Sequence, residues 1–82
     1  MISDPERLRF LGENIRDRMK LLDWTQEELE QASGVTQATI SALLNAKVDT
    51  RITAVWSIAQ ALGTSIDMML QEPAKKILQK SS

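Results

Sequence analysis

The 82-residue chain contains no cysteine and no histidine. Disulfides, thiol nucleophiles, zinc-finger ligand sets and histidine bases are excluded together. A chain without cysteine fits the cytoplasm, which is the expected location. No apolar run approaches the roughly 20 residues of a membrane-spanning helix, so no membrane is expected as a partner. The first ten residues, MISDPERLRF, lack the apolar core of a signal peptide. The three glycines fit none of the phosphate-cradling patterns. Basic excess is missing too: the net charge is −1, whereas nucleic-acid-binding domains are usually basic. The imbalance is uneven, because residues 1–70 hold 7 basic and 10 acidic groups while the tail sets Lys75, Lys76 and Lys80 against Glu72. Glu27, Glu28 and Glu30 form the densest acidic group. For Glu27 and Glu28 a helix N-terminus is sufficient explanation, since its dipole favours anions. With no second carboxylate pair and no histidine beside them, no catalytic residue, metal or cofactor is expected, and the chain reads as a non-enzyme.

What is present is punctuation at helical spacing. Thr25 to Leu44, TQEELEQASGVTQATISALL, reads as two short helices joined by a tight turn. Thr25 and Glu28 make a capping box, and Trp24 with Leu29 a hydrophobic staple around it. Gly34 suits the left-handed residue just past the first of these helices. Thr36 caps the second, and Val35 with Ile40 repeats the staple. Leu29, Val35, Ile40 and Leu43 then fall where two crossed helices share a core. A short turn containing glycine between such helices is the helix-turn-helix.

Upstream, Asp4-Pro5 looks like an N-cap followed by proline in the first helical position, with Ser3 and Glu6 as an alternative box. Leu8, Leu11, Ile15, Met19 and Leu22 recur at three- and four-residue steps, an amphipathic helix. Gly12 inside it marks close packing with a neighbouring helix. Arg9, Arg16 and Lys20 read as a solvated face or as phosphate contacts. Downstream, Asp49 or Thr50 can cap a helix whose face is Ile52, Val55, Ile58, Ala59 and Leu62, with Trp56 half-buried at its edge. Gly63 stops that helix and Ser65 caps a short last one, from which Ile66, Met69 and Leu70 close the core and Met68 points away. Pro73 breaks the pattern. The expected organisation is all-α, five helices over residues 1–72, with residues 73–82 a short C-terminal extension, docked or disordered.

The second helix of the motif would lay its N-terminal residues in a DNA major groove. Gln37, Ala38, Ser41, Ala42 and Asn45 face outward on it. Gln37 can pair with adenine, and Ala38 or Ala42 can meet a thymine methyl. Gln37, Ala38, Ser41 and Ala42 are the candidate base contacts, with Thr39 a candidate for a phosphate. Gln26, at the start of the preceding helix beside its cap Thr25, is placed for the DNA backbone.

These residues carry a resemblance. TQEELEQASGVTQATISALLNAK, followed by IAQALGTSIDMML, resembles the lambdoid phage repressor and Cro-like (XRE) family of small DNA-binding domains over roughly Leu11 to Leu70. The resemblance implies a repressor-type helix-turn-helix fold, sequence-specific binding of duplex DNA, transcriptional regulation and dimerisation through the last helix. It implies backbone contacts from Thr25 and Gln26 and from the loop bearing Asn45, Lys47 and Arg51. The expected dimer surface is Ile66, Met68 and Met69, with Ile77 and Leu78 of the tail, and a homodimer calls for a palindromic site. The chain departs from the family pattern at several points. Glu30 stands where alanine is usual, Ser33 where an apolar residue is usual, and Ala46 where the family has the glycine of Asn-Gly-Lys. Met19 and Leu44 replace an arginine–glutamate pair. The recognition helix has no lysine or arginine. The acidic balance and the small residues on that helix support a second reading: a protein-interaction module of the same fold, such as an antitoxin or anti-repressor partner.

Overall fold

The computed structural model describes residues 4–46 and 51–73. Among them are five helices and no strand: α1 (Pro5–Leu22), α2 (Gln26–Ser33), α3 (Gln37–Leu44), α4 (Ile52–Ala61) and α5 (Ile66–Met69). The anticipated caps stand at four of the five starts. Asp4 accepts the Glu6 N–H at 3.0 Å, with Pro5 behind it in the first turn. Thr25 and Glu28 exchange both bonds of the capping box, at 2.8 and 3.2 Å. Thr36 accepts the Thr39 N–H, and Ser65 accepts that of Met68. Helix α4 differs. Its cap position is Arg51, which makes no side-chain cap bond, whereas Asp49 and Thr50 lie outside the described residues.

One core holds the helices together: Leu11, Ile15 and Met19 of α1, Leu29 of α2, Ile40 and Leu43 of α3, Val55, Ile58 and Ala59 of α4, then Leu62 and Met69. Trp24 and Val35, the outer halves of the two staples, pack half-buried on it. The amphipathic readings need three corrections. Leu22 is exposed, because Asp23 turns left-handed (φ 59°) and ends the helix as that face leaves the core. Ile52, in the first turn of α4, also lies outside the core, at 46 % exposure. Trp56 is not half-buried but 57 % exposed. Conversely Phe10 is buried although it stands off the predicted stripe, and the Arg9 guanidinium covers its ring at 5.2 Å.

Gly12 packs as expected, against a helix end. A Cβ there would stand 2.7 Å from the Leu43 carbonyl oxygen and 3.1 Å from that of Leu44, so α1 rests its bare backbone on the C-terminus of α3. The end of α5 is held from the other side of α1. Asn14 donates to the carbonyls of Met69 and Gln71, both at 2.7 Å, and Arg7 to that of Leu70 at 2.9 Å. Pro73 is buried, and residues 74–82, including Ile77 and Leu78, lie outside the described residues.

Gly12→Ala separates propensity from packing. Alanine would favour the helix by about 1 kcal/mol. Backbone carbonyls cannot swing aside as a flexible side chain can, and overpacking costs about 1–3 kcal/mol. The expected outcome is a net loss of stability of up to about 2 kcal/mol in chemical denaturation; a more stable variant would show that the α1–α3 approach is looser.

Candidate nucleic-acid interface

Helices α2 and α3 meet through Leu29, Ile40 and Leu43, all buried, under the half-buried Val35. The turn between them is tied at each step. Gly34 is left-handed (φ 78°) and its N–H reaches the Glu30 carbonyl at 2.8 Å. The Ser33 hydroxyl donates to the Leu29 carbonyl at 2.7 Å and accepts the Val35 N–H at 3.1 Å. Serine at this usually apolar position therefore stitches the turn, because its hydroxyl can serve a carbonyl and an N–H together. Thr36 closes the other side: its hydroxyl accepts the Thr39 N–H and donates to the Thr39 hydroxyl at 3.0 Å.

With Ile40 and Leu43 turned inward, α3 presents Gln37 and Ala38 fully and Ser41 and Ala42 in part. The four candidate base-reading residues therefore share one outward face of small side chains around one amide. Gln37 is not free to roam on it. Its Nε2 donates to Oε1 of Glu30 at 3.1 Å, from the first turn of α3 back to the last turns of α2. At the far end of α3, the Asn45 amide donates to the Ser41 carbonyl at 2.8 Å, and Arg16 of α1 stands 3.5 Å from the Leu44 carbonyl. Thr25 and Gln26 lie together at the N-terminus of α2.

The helix-turn-helix family model HTH_3 matches residues 15–69. The chain belongs to this family. Its fold is also similar to a crystal structure titled hypothetical transcription factor NHTF from Neisseria, with a TM-score of 0.79 and 22 % identity over 96 % of this chain and 92 % of that one. Comparison with curated proteins finds no matching sequence.

Within this HTH_3 domain the candidate residues are distributed unequally. Gln37, Ala38, Ser41 and Ala42 gather on α3, and Thr39 is half-buried with its hydroxyl held by Thr36. Asn45 is exposed and spends one amide hydrogen on the Ser41 carbonyl. Arg51 is exposed at the start of α4, and Lys47 lies outside the described residues. Of the candidate dimer residues, Met68 is 58 % exposed and Ile66 half-buried, whereas Met69 is 1 % exposed. Met69 is thus a core residue and is corrected out of that surface: α5 is one turn long, and only one side of it can face outward. At the positions where the resemblance places an arginine–glutamate pair, Met19 is buried and Leu44 half-buried. Leu44 packs half-buried on a core that includes Met19, and α1 reaches the end of α3 through Gly12 and Arg16.

Two features of this region were not legible in the sequence. Glu30 entered as one of the clustered acids and as a departure from the family pattern, and its partner stands seven residues away across a turn whose direction Gly34 sets. The apolar groove of Ile52, Thr53, Trp56, Ser57 and Ile66 joins two helices whose relative placement no periodicity contains.

Ala46, where the family has glycine, sits left-handed at φ 53° directly after α3. That conformation costs an L-residue about 1–2 kcal/mol, partly offset by the extra unfolded-state entropy of glycine, about 0.5–1 kcal/mol. Ala46→Gly is therefore expected to stabilise the domain by about 0.5–1 kcal/mol, a rise in Tm of about 2–8 °C by thermal unfolding. An unchanged or lower Tm would mean that the turn relaxes around alanine.

Proposed function

We propose that this HTH_3 domain is a transcriptional regulator that binds duplex DNA sequence-specifically as a homodimeric repressor in the cytoplasm. The observation that carries the reading is the outward face of α3: Gln37 and Ala38 exposed, Ser41 and Ala42 beside them, on a helix anchored at both ends. Small side chains let the helix axis approach base edges closely, and a glutamine in the first turn supplies paired hydrogen bonds. Gln26, Thr25, Thr39, Asn45, Lys47 and Arg51 take the phosphates.

The homodimer is supported by the exposed apolar groove of Ile52, Trp56 and Ile66, with Met68 exposed on the same short helix as Ile66. Ile77 and Leu78 extend this surface in the proposal. A clustered apolar surface on a small domain marks an interaction site more often than scattered exposure does. Two subunits would set their α3 helices about one DNA turn apart, roughly 34–36 Å, over a palindromic site. The same groove, beside a domain of acidic balance, also favours the second reading, a protein-interaction module. Retention on heparin and on random duplex DNA at low salt separates the two.

Gln37→Ala is expected to cost about 1–3 kcal/mol on the preferred site and to relax preference at one base pair. Gln26→Ala is expected to weaken all duplexes alike. Selection of bound duplexes from a random pool measures both, and wild-type preference and affinity in both variants would overturn the docking.

Dimerisation and charge together predict mild salt dependence. Lys47 and Arg51 from each subunit give roughly four phosphate contacts and a slope of log affinity against log salt near −3 to −4. Sedimentation at micromolar concentration should show a dimer that Trp56→Lys dissociates. A monomer that stays monomeric on DNA would remove the dimer, and a slope near −8 would mean that Arg16, Lys20 or the tail lysines also reach phosphates.

A further inference from the structure

We propose that Glu30 is a specificity-determining residue, which holds the Gln37 amide so that it accepts adenine and rejects guanine. The inference rests on the reading of Gln37 as a base contact and adds a residue that never needs to touch DNA. Its basis is the 3.1 Å bond from Gln37 Nε2 to Glu30 Oε1.

The chemistry of the partners fixes which end of the amide faces inward. A carboxylate oxygen only accepts, so the nitrogen of Gln37 must be the atom turned to Glu30, and the amide carbonyl must point away. An amide nitrogen has two hydrogens. With one engaged by Glu30, Gln37 has one donor and one acceptor left for a base. Adenine offers one acceptor, N7, and one donor, N6–H, in the major groove. Guanine offers two acceptors, N7 and O6. An unrestrained glutamine can meet guanine with both amide hydrogens, whereas one held by Glu30 cannot. Glu30 is itself half-buried on α2, and its backbone carbonyl is held by the Gly34 N–H at 2.8 Å, which fixes the base of the side chain that meets Gln37. Its negative charge also opposes the DNA as a whole, which lowers affinity for every duplex alike.

Orientation and charge can be separated by two variants. Glu30→Ala removes both. Glu30→Gln removes the charge and keeps an oxygen acceptor for Gln37. Both sit at a position where helix-compatible side chains are tolerated, and neither touches the buried core. Binding is measured to duplexes selected for the wild-type protein, carrying adenine or guanine at the pair that Gln37→Ala identifies.

In Glu30→Ala the preference for adenine over guanine should fall roughly tenfold, the low end of what a paired contact discriminates. Affinity for random duplex should rise. In Glu30→Gln affinity should rise similarly while the preference falls less than in Glu30→Ala, because the amide keeps an acceptor for Gln37 but also offers a donor and so fixes its orientation only in part. In the free protein, one Gln37 side-chain amide hydrogen should be shifted downfield and slowed in exchange, and Glu30→Ala should abolish both effects. If Gln37→Ala loses the preference and Glu30→Ala retains it, Gln37 reads unaided and the role of Glu30 is overturned while the base contact stands. If Gln37→Ala changes no preference, both fall. An unchanged amide signal in free Glu30→Ala would overturn the hydrogen bond itself.

Discussion

The backbone contact at Gly12 is the constraint on which the rest of the domain depends. A missing Cβ lets α1 lie directly on the Leu43 and Leu44 carbonyls, which fixes where α3 ends. The same helix then meets the other helix ends. Helix C-termini leave carbonyls without partners and carry partial negative charge, so cationic and amide donors are favoured there. Arg18 donates to the Leu62 carbonyl at 2.7 Å at the end of α4, while Asn14 and Arg7 hold those at the end of α5. Arg16 stands beside the end of α3. One long helix thus supplies donors to three short ones, none of which is long enough to hold its shape in water alone.

Stability and recognition are kept on separate surfaces as a result. The charged groups of α1 serve the scaffold, or pair with each other as Arg9 does with Glu6 and Glu13. The outward face of α3 has no charged residue, and its nearest ionic neighbour among the hydrogen-bond partners is an acid, Glu30. In the DNA-binding reading this arrangement shifts weight from phosphate attraction to shape and paired hydrogen bonds. General attraction would be weak, and discrimination would rest on one amide and the small side chains around it. In that reading such a surface would gain from two-fold association, for which the exposed Trp56 and Met68 are available.

Much of the fold was legible because it is written in local chemistry. Caps act within three residues, staples within five and left-handed glycines at one position, so Asp4, Thr25, Thr36, Gly34, Gly63 and Ser65 could be assigned from spacing alone. The same locality explains the misjudged positions. Leu22, Ile52 and Trp56 obey helical periodicity, yet a helix shows the core only the arc that its neighbours cover, and periodicity does not say how far that arc extends. Phe10 is the converse, covered because Arg9 folds over it.

The chain order of residues therefore set the five helices, their boundaries within a residue or two and the outward face of α3, since each depends on hydrogen bonds and side-chain steps that span a single turn. Three matters depended on elements meeting in space. Arg7 and Arg18 of α1, to which spacing assigned no role, became helix-end donors because their carbonyl partners lie 63 and 44 residues away. Met69, placed by the sequence reading both in the core and on the dimer surface, proved core alone because one turn of helix has one covered side. Glu30 became the partner of Gln37 because the left-handed Gly34 swings the start of α3 back over α2, bringing together two side chains that helical spacing never relates.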